Sequence, residues 1–241
     1  MKSAKLKAAV VLTLAVVPLV SFAQSVEPAV VEDDSPISWT LAATSDYVFR
    51  GVSQSDENPA AKASITCTTP VGIYAGVWAS NVDFGSGGPD IEYDTYVGYN
   101  IDVSEAVDFD VMLNRYNYEG SADDSALAYN ELITKTIFLG NYSATIAYTN
   151  DFFGSSEESW YYALAAGVDL PNDFSLGFSA AHTTIDESLP FDDYSDYSVS
   201  LGKSWGALSA SLAYIDTDSH GVVNFGKLAG DRAVLTFTYS P

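Results

Sequence analysis

Ile37-Ser38-Trp39-Thr40-Leu41-Ala42-Ala43-Thr44-Ser45-Asp46-Tyr47-Val48-Phe49-Arg50 alternates without a break. One face reads Ile37, Trp39, Leu41, Ala43, Ser45, Tyr47, Phe49 and the other Ser38, Thr40, Ala42, Thr44, Asp46, Val48, Arg50, a period of two that no helix can use. From there to Tyr239 the chain repeats this pattern in segments of about ten residues, the length of a tilted membrane-crossing strand. The pattern predicts an all-β protein, an antiparallel transmembrane β-barrel of about 12 strands over residues 37–241.

The connections set the topology. Thr69-Pro70-Val71-Gly72, Asn100 to Glu105, Leu139-Gly140-Asn141, Leu170-Pro171-Asn172-Asp173 and Ser204-Trp205-Gly206 are tight and carry the residues turns demand. Between them lie long acidic stretches near 51–59, 82–90, 117–126, 150–158, 184–193 and 217–230. Short periplasmic turns alternating with long extracellular loops are the habit of outer-membrane barrels, whereas a soluble sandwich has no reason for them. The strands should begin near Ile37, Ala60, Ile73, Pro89, Ala106, Ala126, Tyr142, Ser159, Phe174, Tyr194, Ala207 and Asp231. Aromatic girdles are expected from Trp39, Tyr99, Tyr142 and Trp205 near the turns, and from Tyr47, Phe49, Tyr148, Trp160 and Tyr214 near the loops. On the third strand Ile73, Ala75, Val77, Ala79 and Tyr74, Gly76, Trp78, Ser80 both qualify as the lipid face.

Lys2, Lys5 and Lys7 precede the apolar run Ala8 to Val20, and Ser21-Phe22-Ala23 offers a small-x-small cleavage site. Residues 1–23 therefore read as a secretory signal peptide, too short in its apolar part to span a bilayer as a helix. Residues 24–36, with Glu27, Glu32, Asp33, Asp34 and two prolines, read as a disordered acidic leader. Without the first 23 residues, seven basic side chains face 32 acidic ones, a net charge of −25 that excludes nucleic acid as a partner. The single Cys67 cannot form an internal disulfide and falls on an apolar face as a small hydrophobe.

The run Ser45-Asp46-Tyr47-Val48-Phe49-Arg50-Gly51-Val52-Ser53-Gln54, then Asn58-Pro59-Ala60, Gly72 to Phe84 and Glu92-Tyr93-Asp94 resembles the TorF-type outer-membrane porin family of proteobacteria. The likeness is strongest in the first third of the chain. It implies an outer-membrane pore, names no solute and carries no catalytic residues.

The inward faces supply the candidate pore lining: Asp46 and Arg50 on the first strand, Glu92 and Asp94 on the fourth, Asp108 and Asp110 on the fifth. Such a lumen favours cations. The competing reading is that these charges pair with Arg50, Lys62 and Lys203 and fill the barrel, since twelve strands fall between the side-chain-filled and open sizes. The expected function is passive passage of small solutes or ions, and the alternative is a closed barrel with a structural or adhesion role through its loops. Outer-membrane lipid, lipopolysaccharide and the barrel-assembly machinery are the expected partners. No enzyme is expected: His182 on the outward rim has Thr184 rather than a serine two residues on, and His220 has no obvious partner. No cofactor or metal is expected either. Asp216-Thr217-Asp218-Ser219-His220-Gly221 opens like a calcium loop, but its twelfth position is Lys227 where a bidentate glutamate is needed.

Overall fold

The computed structural model describes residues 35–121 and 124–241. The expected signal peptide and all but the last two residues of the expected leader lie outside the described residues.

Alternating side chains along a strand must face two environments, and here the strands close on themselves to provide both. The elements in chain order are β1 (Ile37–Thr44), β2 (Val48–Phe49), β3 (Val52–Ser53), β4 (Ala60–Thr68), β5 (Ile73–Asn81), β6 (Ile91–Ser104), β7 (Val107–Glu119), β8 (Tyr129–Phe138), β9 (Tyr142–Thr149), β10 (Ser159–Leu170), β11 (Phe174–Ile185), β12 (Tyr194–Trp205), β13 (Leu208–Thr217), α1 (Ser219–Phe225) and β14 (Arg232–Tyr239). All but β2 and β3 form one closed antiparallel barrel of twelve strands in sequence order, β14 pairing with β1. That seam is short, running from Leu41↔Tyr239 to Thr44↔Thr236. The Thr44 and Thr236 hydroxyls, 2.9 Å apart, reinforce its last pair, and Thr40 with Ser240 at 2.9 Å and Ser45 N donating to Leu235 O at 2.8 Å extend it at either end. Closure leaves no strand edge with bare backbone groups.

The outward face is apolar around the whole circumference. Leu41, Ile65, Val77, Val97, Leu113, Ile146, Leu164, Val199, Leu212 and Leu235 are all exposed, with Leu164 at 67 %. A continuous belt of this kind far exceeds the apolar patches that soluble monomers tolerate. Trp39, Tyr99, Tyr142 and Trp205 ring its turn end and Tyr214 lies at its loop end, as expected. Cys67 is exposed on the same face. No helix among the described residues is long and apolar enough to cross a membrane.

The open question on β5 is decided by its neighbour. Gly76 pairs with Tyr96, and Tyr74 pairs with Gly98. A Cβ on Gly76 would run into the Tyr96 ring and come within 2.5 Å of Ile65 O; one on Gly98 would come within 2.8 Å of Tyr74 Cε1. Each tyrosine lies flat over the glycine opposite, which fixes Tyr74, Gly76, Trp78 and Ser80 inward and Ile73 and Val77 outward.

Two expectations are corrected. The first strand stops at Thr44, and Tyr47 and Phe49 are not outer-girdle residues: both are buried inside the barrel, because the stretch near 51–59 folds inward and carries them with it. The sixth wall strand, β8, begins at Tyr129 and not near Ala126, since Asp124–Leu127 forms a 3-10 turn. Ordered structure also occurs in loops, with a second 3-10 turn at Phe152–Gly154 and α1 followed by a third at Gly226–Ala229.

Candidate functional site

Residues 45–59 leave the wall at Thr44 and re-enter it at Ala60, and these two positions pair directly. The β1–β4 connection therefore needs none of the fifteen residues between them to hold its register. Instead they form an inner hairpin, Val48↔Ser53 and Phe49↔Val52. Arg50 and Gly51 at its tip have φ of 48° and 78°, the pair of positive values a tight two-residue hairpin turn requires. A Cβ on Gly51 would sit 2.5 Å from Thr217 Cγ2 and 2.8 Å from Asp196 Cβ, so the tip fits against β12 and β13 only as glycine.

Every face of the segment is tied to a different strand. Arg50 Nη2 donates to both Glu131 carboxylate oxygens, at 2.7 and 2.8 Å, and Tyr116 OH donates to the same carboxylate at 2.9 Å. The guanidinium lies 4.7 Å from the Phe49 ring centroid and 4.3 Å from that of Tyr161. Tyr194 OH donates to Arg50 O at 3.0 Å. Asp46 accepts from Arg232 Nη1 at 2.9 Å on β14 and from Ser53 Oγ at 2.6 Å within the segment. Tyr47 OH donates to Glu92 at 3.3 Å, and Lys62 Nζ stands 4.2 Å over the Tyr47 ring. From above, Lys227 of the sixth loop pairs with Asp56 at 2.6 Å and reaches Glu57 at 3.6 Å.

Aromatic rings fill what remains. Tyr116 and Tyr129 stack at 4.4 Å, and Phe153 of the fourth loop packs on Tyr129 and Tyr118. Tyr47, Tyr116, Glu131 and Asp94 are all 1 % exposed or less, so no water-sized passage runs beside them. The inward segment and these side chains pack against one another at the loop end of the lumen. Below it, toward the turns, many inward residues are small and half-buried, among them Ser64, Thr145, Ala165, Ser175, Ser179, Ser209, Ser211, Thr236 and Thr238, beside the larger Tyr74, Asp108 and Asp110.

Of the six candidate residues, four come together. Asp46 and Arg50 lie in the inward segment, with Glu92 and Asp94 beneath it on β6; Asp94 accepts from Asn114 Nδ2 at 3.0 Å. Asp110 stands apart in the lower lumen, accepting from Tyr74 OH at 2.8 Å, and Asp108 lies further toward the turns opposite Asp102. Sequence reading missed Glu131, Arg232 and Asp196. Glu131 is on the inward face with Tyr129 and Ile133, but Asn130, Thr134 and Thr136 blur the outward face of β8 and hide its period.

The packing is polar and incompletely satisfied. Among the described residues Arg50 Nε and Nη1, Asp94 Oδ1, Asn114 Oδ1, Tyr129 OH and Asp196 Oδ2 are buried without a protein partner. A half-satisfied polar network holds a segment less tightly than an apolar core of the same size. No group of acids, histidines or cysteines among the described residues is arranged to hold a metal. His182 meets Ser195 Oγ at 3.0 Å on the outward face, with no orienting carboxylate on its other nitrogen among the described residues.

Residues 31–238 match the pattern of a family described as "Bacterial protein of unknown function (Gcw_chp)". No curated protein matches the sequence. Among solved structures, a KdgM porin is 7 % identical with a TM-score of 0.52, over 85 % of this chain and 99 % of that one. A NanC porin is 10 % identical with a TM-score of 0.55, over 84 % and 98 %. KdgM has also been solved in complex with disordered oligogalacturonate, a structure 7 % identical with a TM-score of 0.54, over 85 % and 99 %. At these identities the likeness is one of fold.

Proposed function

The chain belongs to the Gcw_chp family of bacterial proteins, and from that starting point we propose that it is a porin-like channel of the outer membrane whose lumen is occluded at the loop end by its own first loop. One observation carries this reading: the β1–β4 register does not depend on the segment 45–59, because Thr44 pairs with Ala60, yet beyond Ser45, which still bonds Leu235, the segment fills the lumen through ion pairs and tyrosine hydroxyls. A wall built to remain shut has no need of a separable stopper. The apolar belt and its girdles support a bilayer location, and the reading of residues 1–23 as a signal peptide, together with the resemblance to TorF-type porins, favours the outer membrane.

The expected solute is small and the preference cationic. Inward carboxylates Asp46, Glu92, Asp94, Asp108, Asp110, Glu131 and Asp196 outnumber Arg50, Lys62, Lys135 and Arg232. Once the segment withdraws, taking Asp46 and Arg50 with it, the excess of negative charge within low-dielectric walls concentrates cations. That balance disfavours acidic saccharides of the kind bound by KdgM.

The test is planar-bilayer conductance of the refolded chain beside a variant in which residues 45–59 are replaced by Asn-Gly, a two-residue connection suited to the β1–β4 hairpin. The wild type should open rarely and the variant should conduct steadily with cation preference, which Asp94→Asn with Asp110→Asn should lower. A variant that is inserted, by heat-dependent gel mobility, and still passes no current would overturn the channel. The second reading, a closed barrel with a structural role, is favoured by the near-zero exposure of Tyr129, Asp94 and Glu131, and that same silent variant would establish it.

A further inference from the structure

Among the described residues the outward wall carries two cations, one at each edge of the apolar belt. Lys203, expected among the lumen charges, faces outward at the turn end instead and is engaged there: its Nζ donates to Asn172 O, lies 3.5 Å from Asp173 Oδ2 and stands 4.9 Å from the Phe174 ring. Arg115 at the loop end is not. Its Nε reaches Asn117 Oδ1 at 3.4 Å, and Asn117 Nδ2 in turn donates to Arg115 O and Tyr93 O, both at 3.1 Å. These bonds orient the guanidinium and leave Nη1 and Nη2 without a protein partner among the described residues.

Arg115 also has company on both sides. Thr95 of β6 and Asn130 of β8 are its register partners, so three outward polar side chains form one row across three strands. Neither the Thr95 hydroxyl nor the Asn130 amide has a partner within the described residues, and both residues are exposed. The next row toward the turns is Val97, Leu113 and Leu132, fully apolar and 47–49 % exposed. The polar row therefore begins where the apolar belt ends. Elsewhere the loop-end rim carries acids such as Glu158, Asp216 and Asp231, two of them held by outward tyrosines: Tyr148 OH with Glu158 and Tyr214 OH with Asp231. Arg115, with the exposed Glu119 four residues further toward the loops on the same face of β7, is the one outward cation at this end among the described residues, and it calls for an anion.

We propose that Thr95, Arg115 and Asn130 bind the phosphate of an outer-leaflet lipid headgroup, an inference that rests on the membrane placement above. The planar guanidinium offers two parallel N–H donors to one phosphate, and the flanking hydroxyl and amide complete a cradle of donors at headgroup height. The acyl chains of the same lipid then lie along Val97, Leu113 and Leu132. Recognition faces sideways into the bilayer and is independent of whether the lumen conducts.

The experiment is native mass spectrometry of the detergent-solubilised barrel with bis-phosphorylated lipid A, with its dephosphorylated counterpart and with inorganic phosphate. The wild type should retain the phosphorylated lipid about tenfold more tightly than the dephosphorylated one, the scale of a charge-assisted contact. Arg115→Gln should abolish the difference, and Lys203→Gln should preserve it, with heat-dependent gel mobility confirming that both variants fold. Equal retention of the two lipids by the wild type, or an unchanged preference in Arg115→Gln, would overturn the site. Binding of inorganic phosphate with no added affinity for the lipid would overturn the lipid as its ligand. A chain folded and soluble without detergent would instead overturn the membrane placement.

Discussion

Replacing Glu131 by leucine strands Arg50. The guanidinium is 3 % exposed, its Nη2 makes both of its short contacts to Glu131, and Nε and Nη1 already lack protein partners. Breaking a buried pair by removing one member costs about 3–5 kcal/mol, because the surviving charge keeps its desolvation penalty. Replacing both members by hydrophobes of similar size ranges from neutral to about 1–4 kcal/mol stabilising. Glu131→Leu should therefore be strongly destabilising and the Arg50→Met, Glu131→Leu double variant should recover most of the loss, a coupling of about 3 kcal/mol or more. There is one escape: the segment can swing out and rehydrate Arg50, which caps the loss at its docking free energy and opens the lumen. Urea unfolding in lipid vesicles, read by tryptophan fluorescence beside conductance on the same preparations, distinguishes these outcomes. A Glu131→Leu chain that loses less than about 0.5 kcal/mol and conducts no more than wild type would refute the idea that this pair is desolvated and holds the segment in place.

Gly76→Ala should cost about 1–3 kcal/mol by overpacking, since its Cβ meets the Tyr96 ring and Ile65 O, and unfolding in the same assay would show it. Burial opposes the ionised form of Asp218, but N–H donors from Gly221, Ser195 and His220 outweigh it and hold the group below the usual carboxylate range. Its support for α1 is thus complete above its ordinary value of about 4 and fades as the pH falls through the lower folded value; Asp218→Asn should flatten that acid limb in protease cleavage of the sixth loop. Cysteines placed at Glu157 and Asp186 should react with an impermeant reagent on intact cells while one at Val71 should not, and equal labelling would invert the topology.

Strand number, most strand starts and the apolar face were legible in the sequence because each is a local property: a period of two survives whatever the strand pairs with, and tight turns declare themselves through Gly, Pro, Asn and Asp. Ile37, Ala60, Ile73, Tyr142, Ser159, Phe174 and Tyr194 begin strands where the alternation says they should. The inward turn of residues 45–59 was not legible, since Tyr47 and Phe49 continue the alternation of β1 past Thr44 and look like lipid-facing residues. What draws them inside is distant in sequence: Glu131 lies 81 residues from Arg50, and Arg232 lies 186 from Asp46. The register of β5 likewise depended on which glycine lay opposite which tyrosine. Periodicity tells one face of a strand from the other, but two apolar environments exist here, the bilayer and the crowded interior. Only the closed barrel, which sets the interior volume and brings the buried charges into contact, decides which of the two a side chain enters.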